Sequence, residues 1–155
     1  MKHILTYRIV RERYAQSAFE GRGSLLRGGR WNSTGRKCVY MSGSESLSIL
    51  EVLAHTEKEM AIDRYILFEL PVPEKDVMTL KAEELPSNWR ANPARQETRE
   101  IGDRWLEENK ALALALPSAV VPRKSIYLLN PAHKGFERVV GKAKPLKFEF
   151  DSRLV

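Results

Sequence analysis

One carboxylate interrupts an otherwise uncharged helical run: in Ser46-Leu-Ser-Ile-Leu-Glu-Val-Leu-Ala54, Glu51 carries the only charge. At 3.6 residues per turn it falls one turn after Leu47 and close to Ala54, on the face expected to be buried. Two readings follow. Glu51 stands at the edge of that face and reaches solvent or a structural arginine, or it lies beneath a pocket as a catalytic or ligand-orienting carboxylate with a partner that compensates its burial. A second cluster, Gly28-Gly-Arg-Trp-Asn-Ser-Thr-Gly35, has the composition of a ligand loop. Its glycines let backbone amides approach closely, Arg30 offers a planar fork for phosphate or carboxylate, and Trp31 and Asn32 offer stacking and hydrogen bonding. It lacks the Gly-Lys-Ser/Thr of a nucleotide-hydrolase phosphate loop and is no dinucleotide fingerprint between strand and helix; the bland alternative is a plain surface loop. Tyr40, eleven residues before Glu51, ends a short strand and is expected near the start of the Glu51 helix, where a core tyrosine is the simpler reading.

Ser118 breaks the apolar run Leu116-Pro-Ser-Ala-Val-Val-Pro122 between two prolines, which places it where a sheet edge opens or where a serine satisfies local backbone. Asn130-Pro-Ala-His133 closes the following strand as a turn. His133 has the chemistry of a general base, but His3 and His55 show no metal-ligand spacing with it, and no metal is assigned. The one cysteine, Cys38, excludes an internal disulfide and a cysteine zinc cluster.

These residues need elements to hold them. Residues 3–10 are rich in β-branched and aromatic types and read as a first strand carrying Arg8. Residues 20–36, with five glycines among seventeen, read as a long loop. A short strand at 37–41 is followed by Ser42-Gly-Ser-Glu45, which matches a capping box, and a helix is expected over about 44–57. Strands are expected at 64–70 and 76–80, with Pro71 and Pro73 between them. Ala94, Thr98, Ile101 and Trp105 recur at helical spacing over 94–109. Apolar strand material at 111–121 and 126–129 and an alternating run at 146–150 complete an α+β pattern.

With 155 residues, 43% hydrophobic and 30% charged, the chain has the length and composition of one soluble domain over 1–155, not of a disordered tail. Apolar runs such as 111–116 fall far short of the ~20 residues of a membrane span. The amino-terminal residues leave no room for a signal peptide, and a cytoplasmic location is expected. The net charge of +6 is concentrated at the ends: nine Lys or Arg against two acidic residues in 1–37, and eight against three in 120–155, while 38–119 holds nine against fifteen. Two basic ends brought together would make an anion-binding surface.

In chain order, Tyr7-Arg-Ile9, Gly28-Gly-Arg-Trp-Asn32, Val39-Tyr40, Leu50-Glu-Val-Leu53, Pro117-Ser118 and Leu128-Leu-Asn-Pro-Ala-His133 together resemble the RES domain of bacterial RES–Xre toxin–antitoxin modules. The resemblance spans almost the whole chain. It implies an ADP-ribosyltransferase-like mixed sheet core with flanking helices, and NAD⁺ as a consumed substrate, not a cofactor. Its nicotinamide–ribose bond would be cleaved, or its ADP-ribosyl group transferred to a protein or to phosphate. It also implies an Xre-like antitoxin partner, DNA contact only through that partner, and admits a homodimer within the complex. Arg30, Glu51 and Ser118 take the family's name-giving catalytic places, with Arg8 competing for the arginine. Arg8, Arg30, Trp31, Asn32, Tyr40 and Asn130 take NAD⁺-binding places, with Arg8 and Arg30 on the pyrophosphate, Tyr40 stacked on nicotinamide, and Ser118 on the nicotinamide amide or fixing Glu51.

The chemistry agrees. Cleaving NAD⁺ expels a neutral leaving group and builds oxocarbenium character on ribose, which calls for a nearby anion, an orienting hydrogen bond to ribose and immobilised phosphates. Two other classes fit the composition: a basic nucleic-acid-binding module such as a ribonuclease, for which no helix carries a basic stripe, and a binding-only partner protein without turnover.

Overall fold

The computed structural model describes residues 1–55 and 64–155. Seven strands form one mixed sheet in the order β4-β5-β6-β2-β1-β3-β7: β1 His3–Arg11, β2 Val39–Ser42, β3 Tyr65–Pro73, β4 Val77–Thr79, β5 Ala113–Pro117, β6 Ser125–Leu129 and β7 Lys144–Phe148. Every neighbouring pair is antiparallel except β4 with β5. Among the described residues four α-helices accompany them: α1 Arg22–Arg27, α2 Glu45–His55, α3 Gln96–Glu108 and α4 Phe136–Val140. The architecture is α+β, as the pattern of elements predicts. No helix among the described residues is long and apolar enough to cross a membrane.

Strand alternation sorts the side chains into two layers. On one face, Leu114 and Leu116 of β5 and Ile126 and Leu128 of β6 bury against Leu47 of α2 and Trp105 and Leu106 of α3. Further along the same face, Ile9, Tyr65 and Leu67 meet Ile49, Val52 and Leu53 of α2. On the other face, Val39, Met41, Leu70 and Val72 bury against Phe136 and Val139 of α4. The helix carrying Glu51 and the helix carrying Trp105 therefore share one side of the sheet.

The centre of the sheet is splayed. β1 and β2 are joined by the single pair Tyr7↔Ser42, whereas β1 and β3 pair along their full length. The Tyr40 carbonyl on β2 accepts from the Arg8 side chain at 3.0 Å in place of a β1 amide.

Four local expectations need correction. The stretch 20–36 is not loop throughout, because Arg22–Arg27 winds into α1 between Gly21 (φ 69°) and Gly28 (φ 70°), glycines that supply the positive φ needed at both helix ends. The serine that caps α2 is Ser44, whose Oγ accepts from Leu47 N at 3.1 Å, while Ser42 is a buried strand residue. The turn expected over Asn130–His133 is present and leads into α4, whose five residues are too few for a readable period. The last strand lies two residues earlier than its alternation suggests, and Pro71 and Pro73 are inside β3, beyond its last β7 pair, Glu69↔Lys144. Among the described residues that stretch pairs only with β1, which is where proline is tolerated. Residues 56 and 57, expected to end α2, lie outside the described residues.

Candidate functional site

Glu51 projects from α2 toward the turn that follows β5, and Ser118 meets it there, its Oγ 2.6 Å from Glu51 Oε1. Ser118 has no exposed surface. The loop folds back so that Ser118 N bonds Lys124 O at 2.8 Å. This brings the amides of Val120 and Val121 onto Ser118 Oγ at 3.1 and 3.0 Å. Two donors already point at the hydroxyl oxygen, so its proton goes to the carboxylate. Ser118 is thus fixed as a donor to Glu51.

The Glu51 side chain keeps 21% of its surface, and Ala54, expected beside it on a buried face, is exposed. Its other oxygen is 3.4 Å from Nε2 of the exposed His55, one turn on. Burial pushes its pKa up, but the hydrogen bonds of His55 and Ser118 and the positive charges of His55 and Arg30 more than offset this and hold it below the ordinary glutamate value. The site therefore contains a fixed, ionised carboxylate at neutral pH.

Arg30 is half-buried at the tip of the glycine-rich loop. One terminal nitrogen donates to Trp89 O at 2.9 Å and Ala91 O at 2.7 Å. Burial lowers its pKa, and Glu51 and Tyr40 act in the opposite direction. The loop behind it is locked from three sides. Gly29 N bonds Asn32 O at 2.9 Å. Tyr40 OH accepts from Trp31 N at 3.1 Å and donates to Asn32 Oδ1 at 2.7 Å. A β-carbon at Gly29 would stand 2.5 Å from that phenol oxygen, so only glycine fits. From α3, Thr98 Oγ1 donates to Arg30 O at 2.7 Å, the Asp103 carboxylate accepts from Ser33 N at 2.9 Å and Ser33 Oγ at 2.5 Å, and Gly102 lies against Trp31 O.

The structure thus brings together Glu51, Ser118, Arg30 and Tyr40, and gives other expected residues different surroundings. Trp31 and Asn32 are fully buried; Asn32 Nδ2 serves the carbonyls of Ser24, Ser33 and Arg36. In this arrangement they shape the loop and present no surface to a ligand. Arg8 leaves β1 on the opposite side from Tyr7 and Ile9, which face α2, and donates to Ala18 O at 2.9 Å as well as Tyr40 O. It braces the splayed strands. Asn130 does not join Glu51: Pro117 pairs with Ser125 at one end of the β5–β6 ladder and Ala113 with Leu129 at the other, which puts Asn130 about 20 Å from Ser118 at ~3.3 Å per residue. There its amide donates to Leu106 O and Asn109 Oδ1 at 3.1 Å each and closes the carboxyl end of α3. A cavity of about 880 Å³ at that end is lined by Asn130, Arg22, Arg36, Leu106 and Phe136 among others, but not by Glu51, Ser118 or Arg30. His133 Nδ1 accepts from Gly135 N at 3.0 Å within the turn before α4. No cluster of three or more His, Cys, Asp or Glu able to hold a metal occurs among the described residues.

Sequence reasoning missed the part of α3 and of residues 89–91 in this site. A glycine in mid-helix costs about 1 kcal/mol, so Gly102 was a readable sign of close packing. The carbonyls that hold Arg30 left no trace, because any residue supplies them.

The RES domain family matches residues 5–151. Toxin Res of Yersinia enterocolitica is 39% identical over 97% of this chain and 99% of its own length. The Prs ADP-ribosylating toxin of a Sphingobium strain is 30% identical over 92% and 89% respectively. The chain belongs to the RES-domain family. Its fold is that of a chain in the Mycobacterium tuberculosis MbcT–MbcA toxin–antitoxin complex, with a TM-score of 0.73 and 16% identity over 94% of this chain and 84% of that one.

Proposed function

We propose that this protein is a toxin that cleaves NAD⁺ at the nicotinamide–ribose bond in the cytoplasm and is neutralised by a cognate antitoxin of the Xre-like class. The observation that carries the reading is the Ser118–Glu51 pair: a carboxylate kept ionised and fixed in direction, within electrostatic reach of Arg30. In cleavage the bond between ribose C1′ and the nicotinamide nitrogen breaks, and its electron pair leaves with neutral nicotinamide. Glu51 faces the positive charge that develops on ribose, and electrostatic stabilisation of this kind is commonly the largest catalytic contribution. Ser118 prevents the carboxylate from turning away. Water then adds its oxygen to C1′ and loses a proton, giving ADP-ribose. Tyr40, half-buried with its hydroxyl fixed, offers its ring for stacking on nicotinamide.

A second reading replaces water by a protein side chain, giving ADP-ribosylation, and the name of the Sphingobium relative favours it. Antitoxin control is supported by the toxin–antitoxin complex that shares the fold. Incubating the purified chain with NAD⁺ and following free nicotinamide, with Glu51→Gln as control, tests the common step. ADP-ribose in solution marks hydrolysis, and label retained on protein marks transfer. Absence of nicotinamide release overturns both.

A further inference from the structure

The stretch that holds Arg30 carries a second cation. Trp89 O and Ala91 O both accept from Arg30, so Arg90, between them, is anchored beside it. The Arg90 side chain is exposed and reaches the other wall of the site, where its Nε donates to Ala119 O at 3.0 Å. Ala119 directly follows Ser118. Arg90 thus spans from the Arg30 loop to the residue next to the Glu51 partner. With Nε engaged, its two terminal nitrogens have no acceptor among the described residues and remain for an external anion. The two guanidinium groups are close enough that the like charge of Arg90 disfavours the protonated form of Arg30 while Glu51 favours it. Arg8, by contrast, has Nε and one terminal nitrogen on carbonyls and leaves its strand on the side away from α2.

We propose that Arg90 is a phosphate-binding residue of this site, gripping the pyrophosphate of the dinucleotide together with Arg30 across the gap between residues 89–91 and the Ser118 turn. This rests on the NAD⁺ reading above. A planar guanidinium whose Nε is fixed presents its terminal nitrogens in one orientation, which suits bidentate contact with a phosphate.

The test compares wild type, Arg90→Ala and Arg90→Lys by steady-state kinetics, with inorganic pyrophosphate and nicotinamide as competing ligands. Losing one charge-assisted contact raises KM for NAD⁺ and Ki for pyrophosphate by about tenfold in Arg90→Ala. The change falls on KM rather than kcat, Arg90→Lys recovers part of it, and the Ki of nicotinamide, which has no phosphate, stays put. Unchanged constants overturn the proposal. So does a parallel rise in the pyrophosphate and nicotinamide constants with a fall in kcat, which would make Arg90 a strut for the Ser118 turn. If wild type releases no nicotinamide, the NAD⁺ reading has failed separately. Calorimetric titration with pyrophosphate then still decides the role of Arg90, since binding weakened in Arg90→Ala supports it and equal binding overturns it.

Discussion

Ser118 and Glu51 form a one-way hydrogen bond: Ser118 Oγ lies 2.6 Å from Glu51 Oε1 while two backbone amides point at the same oxygen. The hydroxyl is therefore a donor to the carboxylate and is held there by the hairpin between β5 and β6. Such a serine is a poor nucleophile, since two amides occupy its oxygen and the one base that takes its hydrogen bond, Glu51, is weakened by its lowered pKa. It acts by stabilising the ionised form of Glu51.

Ser118→Ala moves the acid limb of the pH profile. Removing a hydrogen bond to the charged form raises the carboxylate pKa. In wild type, Glu51 lies below its ordinary value, so the acid limb of kcat/KM lies below the usual glutamate range. In Ser118→Ala it shifts to higher pH, and activity at neutral pH falls by about tenfold or more, as expected for a hydrogen bond to a charge worth ~1.5–3 kcal/mol. The same depressed pKa makes ionised Glu51 a source of stability that is present above its unfolded pKa and lost as pH falls through the folded one. An unshifted acid limb in Ser118→Ala contradicts this role.

Glu51→Gln keeps the shape and removes the anion. The fold survives, because the amide still accepts from Ser118, and nicotinamide release is abolished. The checks are thermal unfolding, to show a folded variant, and nicotinamide assay. Activity within about tenfold of wild type, a barrier difference of only ~1.4 kcal/mol, rules out Glu51 as the charge facing the oxocarbenium.

Arg30→Ala mainly raises KM for NAD⁺, since phosphate contacts made equally in ground and transition states are uniform binding. It also strands the Trp89 and Ala91 carbonyls, so a stability loss of about 1–3 kcal/mol accompanies it. Steady-state kinetics and chemical denaturation separate the two effects. A lower kcat with unchanged KM would assign Arg30 to the chemical step instead.

How much of this was legible in the sequence depended on whether a residue announces its own role. Glu51 did, because a lone charge on an apolar helix requires a partner, and the break at Ser118 marked where the sheet ends. The α3 stripe through Thr98 and Trp105 followed from helical spacing, and both residues are buried. Trp31 and Asn32 misled as ligand groups because composition cannot tell a loop that folds on itself from one that opens to a ligand. Asn130 misled because its type suits both helix closure and ligand contact, and only the ladder register places it at the far end of β5 and β6. The helices α1 and α4, six and five residues long, are too short for a period, and packing decides them.

Gly102→Ala tests the seat of the Arg30 loop. An added β-carbon would lie 1.6 Å from Trp31 O, so helix and loop must separate. Overpacking of this kind costs about 1–3 kcal/mol, and the displaced loop carries Arg30 with it, so KM for NAD⁺ rises along with the loss of stability. Trp105→Ala, by contrast, removes a core side chain of the same helix and costs about 3–5 kcal/mol. A stable, folded but inactive Trp105→Ala would mean that the pocket lies against α3 and not at the Ser118 turn.

The last prediction concerns the antitoxin and depends on the proposed toxin role. Arg22 and Arg27 stand exposed on α1, while Arg30 at the end of the same stretch turns inward to the 89–91 carbonyls. An acidic antitoxin segment that engages α1 would thus lie beside the Arg30 loop and close the way to the site without any conformational relay. Rim charges of this kind act mostly on association rate and on salt dependence. The double variant Arg22→Glu, Arg27→Glu should bind the antitoxin more slowly, with a weaker salt dependence. It should escape neutralisation on coexpression while its NAD⁺ turnover stays at the wild-type level, because neither arginine touches Glu51, Ser118 or Arg30 in the structure. Growth and cellular NAD⁺, followed with the chain alone and with the antitoxin, give the readout. Full neutralisation of the double variant would place the antitoxin elsewhere, and an antitoxin that binds while NAD⁺ consumption continues would exclude closure of the site as its mechanism.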